Sequence, residues 1–321
     1  MSSSMEITRG KIRTAIKTLI YGPEGIGKST LASQFPDPVF IDTEGSTKQM
    51  DVARLPTPET WQDILAEIKY VYQNPDCCKT LAIDTADWAE MLCSKHLFGD
   101  AGIESPGYGK GYVMLAEKFQ DMLHELDKVI AAGIHVVLTA HAQMRKFEQP
   151  DEMGAYDRWE LKLQKKTAPL VKEWADMVLF CNFKTIVVNV DGQGAQKGKN
   201  KAMGGERVIY TTHHNCWDAK NRFGLDEKVP MEYSSIAHVI GDVPKPEPKW
   251  KQLQEKMDQD GVELFDMQNL VQTKGWASSL DPIENYSQEL LTFLLKDWEK
   301  VKKAIKDIKD KEEIPFEEEK K

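Results

Sequence analysis

The amino-acid sequence predicts an α/β fold with a mainly parallel, twisted sheet flanked by helices, followed by a small C-terminal helical appendage. In the first half of the 321 residues, short apolar runs alternate with amphipathic stretches, as the strand–helix units of a parallel sheet do. After the stiff run Pro244-Lys245-Pro246-Glu247-Pro248 the pattern becomes helical. We therefore expect a core over residues 1–243, a linker over 244–249, a helical domain over 250–308 and a disordered acidic tail over 309–321.

Each element of the core follows from a local pattern. Apolar runs predict strands over 18–21, 38–42, 79–84 and 134–139. Helices are predicted from a glycine-rich turn to about residue 35, then over 59–73, 88–97 and 112–132. A glycine-rich loop over 99–111 precedes the last of these helices.

The second half of the core is less regular. Residues 142–167 are polar, mixed in charge and poorly periodic, which predicts a long functional or mobile loop, or short helices. Further strands are predicted over 176–181, 185–190 and 207–212, with a disordered Gly- and Lys-rich tip over 191–205. The helical appendage offers apolar residues for a small core, namely Trp276, Leu291, Leu294, Leu295 and Trp298.

Composition limits the classes of protein to consider. Hydrophobic residues make up 41% and charged residues 29%, which fits a soluble chain with a real core. No apolar run approaches the roughly 20 residues that span a bilayer, and residues 1–6 lack a signal-peptide core, so we expect a cytoplasmic protein without a membrane partner. The five irregularly spaced cysteines fit a reducing compartment. With a net charge of −9, any nucleic-acid binding must come from local basic patches.

The strongest motif lies between the first strand and the first helix. It fits G-x-x-x-x-G-K-[ST], in which glycines allow backbone N–H groups to converge on phosphate oxygens. Lys28 would supply a charge for the β- and γ-phosphates, and the Ser29 hydroxyl would bind Mg²⁺. We therefore expect ATP and Mg²⁺ as cofactors, bound by Gly22, Pro23, Glu24, Gly25, Ile26, Gly27, Lys28, Ser29 and Thr30.

Asp84 is the candidate metal partner of Ser29. It ends the apolar strand Leu81-Ala82-Ile83, and beside the first strand its carboxylate would reach Mg²⁺ through water. The alternative is a plain cap of the following helix. The upstream motif favours the metal role.

Glu44 is the candidate catalytic base. It follows the second strand in Phe40-Ile41-Asp42-Thr43-Glu44-Gly45, where a carboxylate beside the γ-phosphate could orient and deprotonate the attacking water. By composition alone, Asp42 and Glu44 could be polar loop residues. The stretch closely resembles the RecA-family recombinases, and the resemblance implies that Glu44 is the catalytic glutamate.

Two further features match that family. His141 follows the strand Val136-Val137-Leu138-Thr139, where RecA-like proteins carry a polar γ-phosphate sensor; the recombinases usually have glutamine there. Ala219-Lys220-Asn221-Arg222 resembles the element that reaches the nucleotide of the neighbouring subunit in RecA-like oligomers. The resemblance implies catalytic roles for His141, Lys220 and Arg222. Read alone, they are a strand-end histidine and two surface charges.

Over residues 10 to about 240 the order of motifs resembles the phage-encoded, minimal RecA-like ATPases of the single-strand annealing or recombination type. The resemblance implies a RecA-like core and a homo-oligomer, ring or filament, that binds ATP between subunits. It also implies single-stranded DNA as the partner. Equivalent DNA-binding loops would be 99–112 and 142–167, which mix basic and aromatic residues as strand binding requires. The candidates are Tyr108, Lys110 and Tyr112 in the first loop, and Arg145, Lys146, Phe147, Arg158, Trp159, Lys162, Lys165 and Lys166 in the second.

Alternatives remain open at this point. Acids dilute the second loop, so a solvated lid is the other interpretation, and the lysines at 197, 199 and 201 form a third basic patch. The tail Glu312-Glu313-Ile314-Pro315-Phe316 resembles the acidic tip of bacterial single-strand DNA-binding proteins, which makes such a protein a candidate partner; an ordinary acidic tail is the alternative.

The leading hypothesis is an ATP-dependent single-stranded-DNA-binding protein of recombination. Its rivals are a RecA-like replication motor or helicase loader, and a regulatory nucleotide-binding module with protein partners.

Overall fold

The structure is a computed structural model that describes residues 7, 9–148, 154–189, 200–245, 247–278 and 281–312, with the backbone alone at 185–189, 200–203 and 311–312. The chain forms two compact units, Met1–Lys245 and Pro246–Lys321. The first is built on a nine-stranded sheet and the second is helical. The predicted fold class is therefore confirmed, while most of the basic tip and the acidic tail lie outside the described residues.

The sheet of the first unit is mainly parallel. Its strands are β1 Lys17–Gly22, β2 Pro38–Asp42, β3 Ala53–Arg54, β4 Thr80–Asp84, β5 His135–Glu148, β6 Ala155–Leu161, β7 Met177–Asn189, β8 Asn200–Tyr210 and β9 Lys228–Pro230. They lie in the order β3-β2-β4-β5-β1-β7-β8-β9, with β6 paired to β5. The strands from β3 to β7 are parallel, and β8 and β9 continue the sheet in the antiparallel sense.

Helices cover both faces of this sheet. They are α1 Lys28–Ala32, α2 Trp61–Gln73, α3 Ala86–Phe98, α4 Lys110–Ala131 and α5 Thr167–Trp174. The helices α2 to α5 pack on one face, whereas α1 and residues 236–240 cover the other. Alternate residues of β1 serve the two cores, because Leu19 and Tyr21 point to the first and Ile20 to the second. Burial on both faces explains why the central strands read as continuous apolar runs.

The region over 142–167 differs from its prediction. It is neither a long loop nor a set of short helices but a β-hairpin followed by α5, since β5 continues beyond the sheet and pairs antiparallel with β6. Polar cross-strand contacts hold the hairpin together: Arg145 lies 3.7 Å from Glu160, and the Arg158 guanidinium lies 5.2 Å from the centre of the Phe147 ring. A strand pair stabilised in this way has no apolar alternation for a sequence pattern to detect.

The strands after α5 also differ from their prediction. The two strands predicted over 176–181 and 185–190 are one strand, β7, with an irregularity in its pairing between Lys184 and Thr185. Strand β8 begins at Asn200, inside the tip that was expected to be disordered, because it pairs along β7. The first helix is shorter than expected and ends at Ala32.

The second unit has its own small core. Its helices are α6 Lys249–Asp260, α7 Leu264–Thr273, α8 Gln288–Lys296 and α9 Trp298–Glu312. Leu291, Leu294 and Trp298 are buried there as predicted, and Leu295 packs against them. Trp276 lies outside this core: it is 42% exposed and meets the Phe293 ring edge-on at 5.1 Å between centroids.

Glu90 ties α3 to the segment after the hairpin. Its two carboxylate oxygens accept hydrogen bonds from the Gln164 N–H at 3.2 and 3.1 Å, and burial raises its pKa from 4.5 to about 7. The unfolded chain therefore releases this proton at a lower pH than the folded chain does. The stability that the protonated form confers is fully present below about pH 4.5 and is lost as the pH rises to about 7.

We expect Glu90→Gln to stabilise the protein above pH 7, because the amide oxygen keeps the hydrogen bond and removes the ionisation. The gain in the free energy of unfolding should be on the order of 2–3 kcal/mol at pH 8 and should disappear near pH 4.5. Thermal and urea unfolding between pH 4.5 and 8 measure it, with the exposed Glu117→Gln as the matched control. A gain that does not change with pH would contradict the assignment.

Candidate nucleotide-binding site

The candidate site lies at the carboxyl edge of the central strands. The parallel pairing of β1 with β5 sets Gly22 beside His141, and that of β2 with β4 sets Asp42 beside Asp84. Loops that follow neighbouring parallel strands open on the same edge, where ligands of open α/β sheets bind. The residues predicted from separate motifs are therefore brought to one place.

The phosphate loop joins β1 to α1, and its glycines have specific reasons to be there. Gly25 and Gly27 have φ values of 71° and 107°, a left-handed conformation that side chains disfavour. A Cβ at Gly22 would lie 2.2 Å from the Cys181 carbonyl oxygen, so β1 and β7 can approach only without a side chain there. The loop backbone is thereby held in a curved form, and a Cβ added at Gly25 would meet no atom within 4 Å.

Lys28 is the buried cation of this loop. It is 5% exposed, and its Nζ donates hydrogen bonds to the carbonyl oxygens of Gly22 at 3.2 Å and Pro23 at 3.0 Å. Burial lowers the pKa of Lys28, and the negative charges of Asp84 and Asp87 oppose that shift. An anion at the loop would supply the counter-charge that these neutral carbonyls do not.

Asp84 and Ser29 form the predicted metal pair. The Ser29 Oγ donates to Asp84 Oδ2 at 2.7 Å, the Ser46 Oγ donates to the same oxygen at 2.8 Å, and the Thr139 hydroxyl donates to Oδ1. Strand β4 is not beside β1 as expected, because β5 lies between them. The carboxylate nevertheless reaches the serine directly. Carboxylate and hydroxyl oxygens suit Mg²⁺, so these residues fit the expected ion.

Glu44 projects from the turn after β2. The buried Asp42 shapes this turn, because its carboxylate accepts hydrogen bonds from the Gly45 N–H at 2.7 Å and the Thr47 hydroxyl at 2.6 Å. Glu44 itself is exposed. Desolvation raises its pKa, His141 acts against that shift, and Asp84 adds to it. A raised pKa makes a carboxylate a stronger base for a water molecule.

His141 has a partner that sequence reasoning missed. Asp87, at the start of α3, lies 2.8 Å from His141 Nδ1 through Oδ2 and accepts the His141 backbone N–H at 3.0 Å through Oδ1. Burial by itself would raise the pKa of Asp87, but the hydrogen bonds from the ring and backbone of His141 outweigh it and hold the pKa below its ordinary value. An ionised Asp87 keeps a proton on Nδ1 and fixes the ring, as carboxylate–histidine pairs do.

A family model described as an AAA domain matches residues 14–223, which is more than half of the chain. The chain belongs to this AAA domain family. It is therefore a P-loop ATPase domain with a mainly parallel sheet, and such ATPases use ATP and Mg²⁺. No curated protein sequence matches the chain.

The matched region of the AAA domain contains every candidate of the nucleotide site, including Lys220 and Arg222. These two have different surroundings. The Lys220 ammonium donates to the carbonyls of Lys172 and Glu173 at 3.2 Å each, at the end of α5, and burial lowers its pKa. Arg222 is exposed and pairs with Asp176 at 3.2 Å. Of the two, Arg222 is exposed and Lys220 is half-buried.

The predicted DNA-binding residues of the AAA domain fall into two groups. The first group is held by other side chains. Arg158 pairs with Asp218 and lies over the Phe147 ring, Trp159 packs on Phe180, and the Tyr112 hydroxyl donates to Glu104. Arg145 pairs with Glu160, and Lys162 lies 3.7 Å from Glu24 of the phosphate loop. The second group is exposed and consists of Tyr108, Lys110, Lys146, Lys165 and Lys166.

Three residues of the site had a weak sequence signal or none. Asp87 lies three residues beyond Asp84, in the first turn of α3. Its partner His141 is 54 residues away, so the sequence does not indicate the pair. Ser46 and Thr139 reach Asp84 only because the sheet brings their segments together.

Across the part of the chain that the structure describes, no helix is both long and apolar enough to span a membrane.

We expect Asp84→Asn to weaken the dependence of ATP binding on Mg²⁺, because the amide can still accept from Ser29 but carries no charge for the ion. The ratio of the ATP affinity in Mg²⁺ to the ATP affinity in EDTA should fall about 10-fold or more. Calorimetry with and without Mg²⁺ measures it, with the exposed Asp121→Asn as the control and thermal unfolding as a check on folding. An unchanged enhancement would place the ion elsewhere.

Proposed function

We propose that this AAA domain protein is an ATP-dependent, single-stranded-DNA-binding protein of recombination or strand annealing. It acts as a homo-oligomer that binds and hydrolyses ATP where subunits meet. The observation that carries the proposal is the connection between the nucleotide site and the hairpin of β5 and β6. One continuous strand, β5, carries His141 at the site and the basic Lys146 farther along.

The return strand of the hairpin contacts the site as well. The Lys162 N–H, just after β6, donates to the His141 carbonyl at 2.8 Å, and the Lys162 ammonium lies 3.7 Å from Glu24 of the phosphate loop. Both ends of the hairpin therefore contact residues of the proposed nucleotide site. If the contacts of His141 or Glu24 change, the hairpin residues bonded to them must move as well.

The residues of the site divide the work of hydrolysis. Lys28 neutralises phosphate charge. Ser29 and Asp84 would hold Mg²⁺, which would neutralise further phosphate charge when bound. Glu44 orients the attacking water and accepts its proton, for which its raised pKa is suited. Asp87 orients His141, whose ring senses the terminal phosphate.

In the oligomer, Arg222 is the residue proposed to reach the neighbouring nucleotide. Its exposed guanidinium has one described ion-pair partner, Asp176, which a phosphate of an adjoining subunit could replace. Lys220 supports the same segment by capping α5. Strand unwinding coupled to hydrolysis would instead favour the replication motor, and a turnover rate indifferent to DNA would favour a regulatory module with protein partners.

We expect Lys28→Ala to abolish ATP binding and Glu44→Gln to keep binding while turnover falls on the order of 100-fold or more, because the first removes the phosphate cation and the second the base. Calorimetry and phosphate release measure the two effects, and Glu117→Gln is the control for an exposed glutamate. Full turnover by Glu44→Gln would assign the base to another residue.

The DNA part of the proposal is tested on the exposed lysines. The triple variant Lys146→Ala, Lys165→Ala, Lys166→Ala should bind a labelled oligonucleotide at least about 10-fold more weakly, with a salt dependence reduced by roughly 2 in log–log slope, because up to three phosphate contacts are lost. The control removes three exposed lysines elsewhere, Lys95, Lys128 and Lys228. Equal losses in the two triple variants would mean that only net charge matters.

A further inference from the structure

Arg207 of β8 lies against the phosphate loop, and neither the motifs nor the proposed mechanism uses it. A Cβ placed on Gly27 would be 3.2 Å from Arg207 Nη1, so the guanidinium contacts the loop directly before Lys28. The side chain is exposed, as an anion-binding group at the mouth of a site must be. A side chain at Gly27 would press against this guanidinium, and the φ of 107° disfavours one there as well.

The sheet fixes the backbone from which Arg207 projects. Arg207 stands opposite Phe183 of β7, and its carbonyl accepts the Met231 N–H at 3.1 Å next to β9. Strand β7 in turn pairs with β1, the strand that enters the phosphate loop. Strand register therefore fixes the backbone position from which this arginine approaches the loop.

Arg207 has no carboxylate partner within the part of the chain that the structure describes. Its neighbour Glu206 faces the other side of the sheet, because residues alternate along a strand, and lies 3.5 Å from Lys184. Among the residues that the structure describes, no carboxylate lies at ion-pairing distance from Arg207. A guanidinium, the Lys28 ammonium and loop N–H groups are all donors, and donors converge in this way around an anion.

We infer that Arg207 is a nucleotide ligand in cis that binds the α- and β-phosphates. The inference rests on the proposed function and adds a residue to its site. The N–H groups of such a loop cradle the α- and β-phosphates, and Gly27 belongs to them. The acidic residues that serve the metal ion and the water, Asp84 and Glu44, come from β4 and β2 on the far side of β5, whereas Arg207 approaches from the side of β7. The site therefore has a cationic flank at the inner phosphates and an acidic flank at the terminal one.

The test compares the affinities for MgATP and MgADP by calorimetry in wild type, Arg207→Ala, Arg207→Lys and Lys28→Ala. We expect Arg207→Ala to lose on the order of 10- to 100-fold in affinity for both nucleotides by a similar factor, and Arg207→Lys to lose less, because it keeps the charge without the planar fork. Lys184→Ala is the matched control, since it removes one cation from the neighbouring strand on the opposite face.

The outcomes distinguish a failure of the Arg207 assignment from a failure of the proposed function. If wild type binds neither nucleotide, the proposed function fails. If wild type binds both, Lys28→Ala binds neither and Arg207→Ala binds as wild type does, the inference is overturned while the proposed function stands. A loss for MgATP without a loss for MgADP would move the contact to the γ-phosphate and overturn the assignment to the inner phosphates. Unchanged thermal unfolding of Arg207→Ala, which the exposure of the side chain leads us to expect, excludes misfolding as the cause.

Discussion

The site depends on one buried carboxylate, Asp84, which is fully enclosed at the end of a central strand. A buried charge is tolerated only when hydrogen-bond donors surround it, and here three hydroxyls from three different segments do so. One belongs to the phosphate loop, one to the turn after β2 and one to β5. Asp84 therefore links the positions of the loop, the turn that bears Glu44 and the strand that bears His141.

This arrangement makes the nucleotide site and the hairpin parts of one structure. The segment that follows the hairpin is anchored twice, by the backbone hydrogen bond from Lys162 to His141 and by the bond from Gln164 to Glu90. The middle of the hairpin is fixed separately through Arg158, which pairs with Asp218, while the Tyr21 hydroxyl donates to the Asp218 carbonyl at 2.6 Å. Since Tyr21 directly precedes the phosphate loop, the two regions share this attachment.

The sequence predicted those parts of the protein that local patterns encode. The apolar runs of the central strands and the spacing of Lys28 and Ser29 in their motif involve only neighbouring residues. They were enough to predict the fold class and the phosphate loop. The hairpin was missed because its stability comes from cross-strand pairs such as Arg145 with Glu160, which no local period reports. Asp87 and Arg207 were missed for the same reason, since each becomes meaningful only when the sheet places it beside His141 or Gly27.

The length of β5 has a mechanical consequence. Residues 142–148 extend beyond His141, a reach of about 23 Å at roughly 3.3 Å per residue. If the strand pivots as a stiff arm about His141, a tilt of about 10° displaces its far end by about 4 Å, close to the spacing between adjacent strands of a sheet. A small rotation at His141 would thus move the far end of β5 by nearly the distance that separates two hydrogen-bonded strands.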